Sequence, residues 1–431
     1  MNWAPTLFAD LILETKDGEW GESYQRSGYQ LCEVIRGTDF SDLNSPNREL
    51  PLRWIADQFV ERKQLMTGDI LIETAGGTAK QSTGRTALIT LKILQKSKGI
   101  PLLCSSFARH LRVDKDKCNP VYLYYLLQTL YRAGYMGVFN LQHTGISRFQ
   151  FTAFKNKTVL MMPPLAEQQK IAVILIAYDD LIANNQRRIT LLESMAEEIY
   201  REWFVRMRYP EFRSESIKKG IPPGWQLLPS SELFKIMGGG TPKTEISSYW
   251  GGEINFFSPK DVDEHFFVLE TEQKITEKGL ESCNSQLFPA QTIFITARGT
   301  VGKIVLCGQA MAMNQSCYAL TPSSDQEPFF HFMSLRAAVS HIKGVSKSGV
   351  FDNIVMDTFK IVPILLPTRI LRDRFNNLVK PFFEEMLNLQ KSIILLRKQR
   401  DSLLPRLISG KLKVAHLDIQ FPPSMREDAA A

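Results

Sequence analysis

The chain has 431 residues, of which 44% are hydrophobic and 23% are charged, and its formal net charge is +7. This length exceeds one ordinary domain and predicts two or three compact units, each with its own hydrophobic core. The basic balance permits nucleic-acid binding without requiring it. No run of eighteen apolar residues occurs, which excludes a transmembrane helix.

Six cysteines are dispersed along the chain, with no Cys-x-x-Cys pair and no histidine cluster beside any of them. This pattern predicts reduced, buried thiols rather than disulfides or a zinc site. Residues 1–10 lack a basic region followed by an apolar core, so we expect no signal peptide and a cytoplasmic location.

The first segment, residues 1–162, alternates β-like runs with loops. A strand is predicted at 67–72, and a glycine-rich polar loop follows at 76–80. The stretch 120–132 opens with a proline and has helical spacing. We interpret this segment as an α+β domain with a twisted or barrel-like sheet.

A helix is predicted over 163–210, because apolar residues recur there at alternating steps of four and three. This heptad spacing is typical of a helix that packs along a partner helix. Pro163 and Pro164 suit a first helical turn, and Glu167 favours the helix dipole. The seam, which Asn185 interrupts, comprises Ile171, Leu175, Tyr178, Ile182, Ile189 and Leu192.

A polar linker that ends in Ile-Pro-Pro is predicted at 211–223, and a second α+β domain is predicted at 224–366. The second domain repeats the landmarks of the first in the same order. A strand is predicted at 289–295, a glycine-rich loop at 298–303 and a helix at 328–342.

A second long helix is predicted over 367–415, followed by a tail at 416–431. A shift of 204 residues brings the two helices into register without a gap over about sixty residues. The second helix starts at the second domain and must run back to pack along the first, so the coiled coil is antiparallel, with a length of roughly 60 Å. Its seam, which Arg400 interrupts, comprises Phe375, Val379, Phe382, Met386, Ile393 and Leu396.

Loops of both domains carry the residue types that contact base edges and phosphates, together with glycines that let the backbone approach DNA. The alternative is that these loops are only solvated turns. In the first domain we predict DNA contacts by Lys80, Gln81, Arg85, Gln142, His143, Ser147 and Arg148. In the second domain we predict them for Thr241, Lys243, Lys260, Arg298, Thr300, Lys303, Asn314, Gln315 and Lys347.

Enzymatic alternatives have little support. The segment 299–304 lacks the first glycine of a phosphate-binding loop, and Ile304 stands where Ser or Thr would bind magnesium. Asp261 with Glu272 and Lys274 loosely resembles a nuclease set, a pattern that is common by chance. No amino-methylation motif and no metal-binding histidine cluster occurs. We expect no catalytic residue and no metal. A coiled-coil adaptor with protein-binding end domains stays open as an alternative.

Several motifs resemble those of type I restriction-modification specificity subunits. The segment 163–171 resembles the start of their central conserved helix, and 403–412 resembles the end of their distal conserved helix. Motifs within 296–316 resemble the core of a target-recognition domain, and motifs within 224–242 resemble the opening of the second such domain. The order of these motifs matches over nearly the whole chain.

The resemblance implies an α+β fold in which two pseudo-repeated α/β target-recognition domains are separated by a long antiparallel two-helix coiled coil. Each domain would bind one half of a split double-stranded DNA site, with the helices as a ruler. Two methyltransferase subunits would dock on the helices, and motor-nuclease subunits would join them. S-adenosylmethionine, ATP and magnesium would belong to those partners. The sequence departs from the family pattern at 73–78 and 367–372.

Overall fold

The computed structural model describes residues 3–45, 48–77, 81–143, 146–210, 220–323, 328–345 and 353–421. The chain forms two compact units. The first comprises Met1–Asn184 and Leu395–Ala431, and the second comprises Asn185–Ile394. Each unit therefore contains one globular domain and a part of each long helix.

The first domain is built from short strands and short helices. Its strands are β1 (Ala4–Leu7), β2 (Ile12–Asp17), β3 (Tyr29–Ile35), β4 (Leu52–Ala56), β5 (Ile70–Glu73), β6 (Ala75–Gly77), β7 (Thr86–Leu88), β8 (Leu102–Cys104), β9 (Ala108–Val113), β10 (Asn140–His143), β11 (Ile146–Phe149) and β12 (Val159–Met162). Its helices are α1 (Asp57–Lys63), α2 (Leu91–Lys96), α3 (Pro120–Arg132) and α4 (Phe151–Lys157). The long helix α5 (Leu165–Tyr200) follows and continues into a π-helical turn at Arg201–Val205.

The main sheet of the first domain has the strand order β2-β9-β5-β7, and a second sheet has the order β4-β3-β8. Ile70, Leu71 and Ile72 of β5 are all buried, because this central strand is covered on both faces. Helix α3 begins where the sequence predicts, with Asn119 Oδ1 accepting from Tyr122 N at 3.0 Å. One core cluster includes the apolar face of α3 and alternate residues of β5.

The second domain begins with β13 and ends with β22. Its elements are β13 (Gln226–Pro229), α6 (Ser230–Leu233), β14 (Phe234–Gly238), β15 (Trp250–Phe257), β16 (Phe267–Val268), β17 (Lys274–Ile275), α7 (Glu277–Glu281), β18 (Ile293–Thr296), β19 (Ile304–Cys307), β20 (Met311–Met313), β21 (Cys317–Pro322), α8 (Pro328–Val345), α9 (Thr358–Ile361) and β22 (Pro363–Leu366). The second long helix is α10 (Arg369–Ile408).

The two domains share the topology of two sheets. The order β14-β21-β18-β19 in the second domain, where β16 adds a fifth strand beside β19, corresponds to β2-β9-β5-β7 in the first, and β17-β15-β20 corresponds to β4-β3-β8. The first domain has a further sheet of order β10-β11-β6. The middle strand of the smaller sheet pairs with one neighbour antiparallel and with the other parallel in both domains. The strand that enters each long helix pairs with the first strand of its domain. The predicted pseudo-repeat of α+β domains is thus confirmed.

The long helices are antiparallel within each unit. In the first unit Arg400 donates to Asp179, and Lys170 Nζ donates to Ala415 O at 2.7 Å, beyond the end of α10. In the second unit Asn185 Nδ2 donates to Ser392 Oγ at 3.3 Å. In the same unit Arg188 Nη2 donates to Glu385 Oε1 at 2.6 Å. In both units the partner's residue number on the second helix therefore falls as the number on the first helix rises, as a returning helix requires. The predicted antiparallel helix pair is confirmed.

The seam residues lie against neighbouring elements. Buried among them are Ile171, Leu175, Ile182, Ile189, Phe375, Val379, Met386 and Ile393, whereas Tyr178, Leu192, Phe382 and Leu396 are half-buried. The two polar interruptions are compensated locally, because Asn185 bonds to Ser392 and Arg400 pairs with Asp179. Seam positions without an apolar side chain therefore still have a defined partner.

Several element ends differ from the prediction for visible backbone reasons. The α-helical part of α5 ends at Tyr200, and Met207 has a φ of 57°, which stops the helix before 210. Helix α10 ends at Ile408, because Gly410 adopts a φ of 69°. The strand predicted from 289 starts only at Ile293, after Gln291 has turned at a φ of 68°. Most of the predicted linker, 211–219, lies outside the described residues.

Further predictions concern the cysteines, possible membrane spans and possible metal sites. All six cysteines are free thiols, and five are buried while Cys283 is half-buried. Burial raises the pKa of Cys32 to about 11, as expected for an unreactive core thiol. Within the described ranges, no helix is long and apolar enough to span a membrane, and no group of His, Cys, Asp and Glu side chains suits a metal ion.

Candidate nucleic-acid interface

The loop after β18 in the second domain is held by a buried threonine. Thr296 Oγ1 accepts from Lys303 N at 3.0 Å and donates to Thr300 O. Gly302 N donates to Thr296 O at 2.7 Å, with Gly302 at a φ of 71° that favours glycine. Thr296 is fully buried, whereas Arg298, Thr300 and Lys303 are exposed. The loop thus presents polar side chains from a fixed backbone.

Helix α8 contacts this loop through Lys343. A Cβ on Gly302 would lie 2.7 Å from Lys343 Cε, so the backbone and this side chain are in close contact. Lys343 Nζ donates to Val301 O. Burial, together with the positive charge of Lys303, lowers the pKa of Lys343. Lys343 is itself exposed, and its ammonium group supports the loop backbone through this bond.

Two further turns of the second domain adjoin the loop. Ala297 N donates to Ser316 O at 2.7 Å, which ties the start of the loop to the turn after β20. Thr241 Oγ1 hydrogen-bonds to Gln315 Oε1, which brings the turn after β14 to the same place. Thr241 is half-buried and Gln315 is exposed. Three chain segments that are far apart in sequence therefore meet at one surface.

Glycine makes the approach between these turns possible. A Cβ on Gly239 would lie 2.1 Å from Asn314 O, and a Cβ on Gly240 would lie 2.6 Å from Asn284 N. Both contacts involve backbone atoms, which cannot move aside as a flexible side chain can. The Gly-Gly-Gly-Thr-Pro segment is thus needed for packing, and half-buried Asn314 has its Oδ1 bonded to Ser316 N at 3.0 Å.

A fourth turn follows β15 and carries Lys260. Asp261 Oδ2 accepts from Ser258 N and from Ser258 Oγ, both at 2.7 Å, and its Oδ1 accepts from Glu272 N at 2.7 Å. Thr300 Oγ1 donates to Pro259 O at 3.4 Å, which joins this turn to the loop after β18. Both oxygens of Asp261 are engaged in shaping the turn, which accounts for the carboxylate without a nuclease role.

Most of the residues predicted for the second domain thus belong to one connected surface. Lys243 and Lys260 are exposed there as well. The structure brings together Thr241, Lys260, Arg298, Thr300, Lys303, Asn314 and Gln315 through the bonds given above. Lys347 lies outside the described residues.

In the first domain, Arg85 is paired with a buried acid, and its DNA contact stays a prediction. Its Nε and Nη2 donate to the Glu73 carboxylate at 2.9 and 2.6 Å, and the Glu73 side chain is only 3% exposed. The hydrogen bond to Glu73 raises the pKa of Arg85. A buried carboxylate requires such a partner, so Arg85 is held as a structural cation.

The hairpin β10–β11 with β6 carries the other predicted residues of the first domain. Gln142 is opposite Ser147, and Ser147 is opposite Gly77 of β6. Ser147 is buried between its neighbouring strands, and its DNA contact stays a prediction. Exposed Arg148 and Gln81 remain available at the surface. His143 pairs with Ile146 in the hairpin, and Lys80 lies outside the described residues.

A cleft of about 800 Å³ adjoins this hairpin in the first domain. Its lining includes Arg109, Arg148 and Lys157, three cations against the single carboxylate of Asp17, which pairs with Arg109. The exposed ring of Phe107 also lies there. Sequence reasoning missed Phe107, Arg109 and Lys157, because they come from separate segments that only the fold brings together.

Comparisons with known proteins agree with this arrangement. A family model described as type I restriction modification DNA specificity domain matches residues 56–194 and again residues 222–369. The chain is 27% identical to the type I restriction enzyme MjaIX specificity subunit of Methanocaldococcus jannaschii, over 71% of this chain and 72% of the relative. It is 21% identical to the type I restriction enzyme HindI specificity subunit of Haemophilus influenzae, over 59% and 69%.

The fold is also found among solved structures. The crystal structure of a type-I restriction-modification system S subunit from M. genitalium matches with a TM-score of 0.57 at 16% identity. The match covers 94% of this chain and 96% of that chain. At this identity the likeness concerns the fold, and it extends over both domains and both long helices.

Proposed function

The chain belongs to the family of type I restriction modification DNA specificity domains, and we propose that each of its two domains binds one half of a bipartite DNA target. As a specificity subunit it supplies DNA sequence specificity, and catalysis lies in partner subunits. It binds DNA and assembles with methyltransferase and restriction subunits.

The observation that carries the proposal is the repeated topology with unlike surfaces. Both domains place a loop after the central strand of the main sheet. In the second domain this loop exposes Arg298 and Lys303, whereas in the first domain the cation of the loop, Arg85, is half-buried and bonded to Glu73. Base recognition depends on which side chains reach the groove. One scaffold with two side-chain sets therefore suits two different half-sites.

The proposal extends to partners and cofactors. Two methyltransferase subunits would dock on the long helices, and motor-nuclease subunits would complete the complex. S-adenosylmethionine, ATP and magnesium would act in those subunits. The complex would work in the cytoplasm, because its substrate is cellular DNA.

Single-molecule methylation mapping tests the proposal directly. Cells that express this chain with its methyltransferase subunit are compared with cells that express the methyltransferase alone. We expect a new N6-methyladenine motif in two parts with a fixed gap. A stable, assembled complex that yields no motif, and whose DNA binding is independent of sequence, would contradict it and favour a protein scaffold.

A further inference from the structure

The turn after β8 in the first domain occupies the same structural position as the turn after β20 in the second. Ser105 N donates to Ile35 O at 2.8 Å, at the end of β3. The corresponding bond of the second domain runs from Asn314 N to Phe257 O, at 2.9 Å and at the end of β15. The two turns thus start from the same point of the shared topology.

The ends of the two turns are also bonded alike. Thr74 N donates to Phe107 O at 2.8 Å in the first domain, as Ala297 N donates to Ser316 O at 2.7 Å in the second. Thr74 follows β5 directly, and Ala297 follows the corresponding strand β18. Phe107 therefore stands in the place of Ser316.

A glycine approaches each turn in the same way. A Cβ on Gly18, just after β2, would lie 2.1 Å from Ser105 O. A Cβ on Gly239, just after the corresponding strand β14, would lie 2.1 Å from Asn314 O. Three independent backbone contacts thus align 105–107 with 314–316, although the two segments share no residue at any of the three aligned positions.

The chemistry of the first-domain turn differs from that of the second. Phe107 is 57% exposed, while its carbonyl oxygen accepts from Thr74 N and from Ala75 N at 3.3 Å. The backbone that carries the ring is therefore fixed. An exposed aromatic ring on a fixed backbone suits stacking or apolar contact with bases, including the methyl group of thymine.

The charges around Phe107 suit DNA rather than an apolar partner. Arg109, Arg148 and Lys157 line the same cleft, and Asp17 is the acidic side chain in its lining. Phosphates of a DNA strand would satisfy this positive excess while a base contacts the ring. The combination of a rigid aromatic ring and flanking cations recurs in nucleic-acid recognition.

We propose that the 105–107 turn is a DNA-recognition turn of the first domain, and that the Phe107 ring makes the apolar contact with bases of its half-site. This assignment rests on the proposed function of the chain. It adds a specificity-determining residue in a segment for which the sequence alone predicts no DNA contact.

The first experiment uses the complete complex with its methyltransferase subunits and compares wild type, Phe107→Ala and Leu13→Ala. Leu13 is a matched control, because it is 71% exposed and lies on β2 of the same domain, near the other end of that strand from Gly18. We expect Phe107→Ala to weaken binding to the wild-type target by about tenfold to a hundredfold. The loss of discrimination should be confined to one half-site, and Leu13→Ala should behave as wild type.

The salt dependence of binding separates a base contact from a phosphate contact. Phe107→Ala should leave the slope of log affinity against log salt unchanged, whereas Arg148→Ala should reduce it by about one. Unchanged affinity and discrimination in folded Phe107→Ala would overturn the assignment. So would a loss of subunit assembly with normal DNA discrimination, because Phe107 would then contact a protein.

A second measurement needs no variant and covers the case in which Phe107→Ala does not fold. Thymines of each half-site, known from methylation mapping, are replaced one at a time by 5-iodouracil, and the wild-type complex is photo-crosslinked. We expect a cross-linked peptide that contains Phe107 from one half-site only. Cross-links elsewhere in the first domain but never at 105–107 would overturn the assignment. A wild-type complex without a bipartite motif would instead overturn the proposed function itself.

Discussion

The loops after β5 and after β18 are closed by the same backbone hydrogen bonds but carry different side chains. In the first domain Glu73 N donates to Arg85 O at 2.8 Å, and in the second Thr296 N donates to Lys303 O at 3.0 Å. A glycine with positive φ precedes the cation in both loops, at 99° for Gly84 and 71° for Gly302. The backbone closes each loop in the same way, although the first is five residues longer.

The loops differ in whether an acidic side chain neutralises the cation at their end. Arg85 is bonded to the buried carboxylate of Glu73, whereas the second domain has the neutral hydroxyl of Thr296 at that place, and Lys303 is exposed. The cation at the end of the first loop thus has an acidic partner on the preceding strand, and the cation at the end of the second loop has a threonine there instead. Residue type in a loop does not by itself identify a DNA contact.

The helix pair, by comparison, is held in a similar way in both units. In the first unit Arg400 pairs with Asp179, and Tyr125 Oη also donates to Asp179, at 2.5 Å. In the second unit the same helices bury Ile189 and Ile393. The first unit also buries Ile171 and Leu175, and the second also pairs Arg188 with Glu385 at 2.6 Å, so both units combine charged and apolar contacts.

The largest effect is expected from Ile393→Asp in the second unit. The side chain is 5% exposed, so the variant loses apolar burial and introduces a carboxylate without a partner. We expect a loss of about 4 kcal/mol or more in unfolding free energy. Hydrogen exchange should show the loss first in Asn185–Ile394. The control Leu395→Asp, at a position 55% exposed, should cost about 0.5 kcal/mol or less. Equal effects would contradict a buried helix seam.

The next effect concerns Glu73→Ala in the first domain. It leaves the guanidinium of Arg85, 25% exposed, without its carboxylate, and we expect about 3 kcal/mol of destabilisation. The matched change Thr296→Val removes a hydroxyl that is bonded to two backbone groups, and it should cost about 1–2 kcal/mol. Denaturant unfolding with exchange mass spectrometry measures both. A larger loss for Thr296→Val would reverse the contrast between the loops.

Arg298→Ala sharpens the same contrast at the level of DNA. Arg298 is exposed at the start of the second loop, so its removal should lower affinity by about tenfold and blur one half-site. Competition binding with duplexes mutated in either half-site provides the measurement. Arg85→Ala is the comparison variant, and it should act through stability with discrimination retained. Equal blurring of both half-sites by Arg298→Ala would contradict recognition by separate domains.

Much of the fold could be predicted because its signals are local or periodic. The heptad spacing located both long helices, and Pro120 marked the start of α3 correctly. The order of elements repeats along the chain, so the pseudo-repeat of domains was accessible from sequence. The element ends at Tyr200 and Ile293 were not, because single backbone turns decide them.

The recognition surface was only partly predictable. The second domain has a compact set of polar loops, and the structure joins them. In the first domain Arg85 is paired with Glu73, which strand pairing places beside it. Residue types alone do not reveal this pair. Phe107 corresponds to Ser316 through backbone hydrogen bonds alone. Contacts made by the main chain leave little trace in side-chain identity.

The smallest effect expected is an opposite response of the two units to pH, through one histidine in each. In the first unit burial lowers the pKa of His110 below its ordinary 6.5, although Asp69 and Glu14 oppose this. In the second unit the hydrogen bond to Glu193, at 3.3 Å, raises the pKa of His265 above 6.5. A neutral imidazole is thus favoured in one fold and a charged one in the other.

The sign of each contribution follows from proton linkage. Unfolded His110 binds a proton more readily than the folded form, so its contribution is complete above pH 6.5 and falls as the pH drops towards its folded pKa. Folded His265 binds the proton more readily, so its contribution is complete below pH 6.5 and falls as the pH rises through its folded pKa. Exchange mass spectrometry of wild type, His110→Gln and His265→Gln at about pH 6 and about pH 8 measures both. Relative to wild type, His265→Gln should weaken the second unit more at the lower pH, and His110→Gln should weaken the first unit more at the higher pH. If both variants destabilised their units more at the same pH, the two histidines would not have opposite effects on pH-dependent stability.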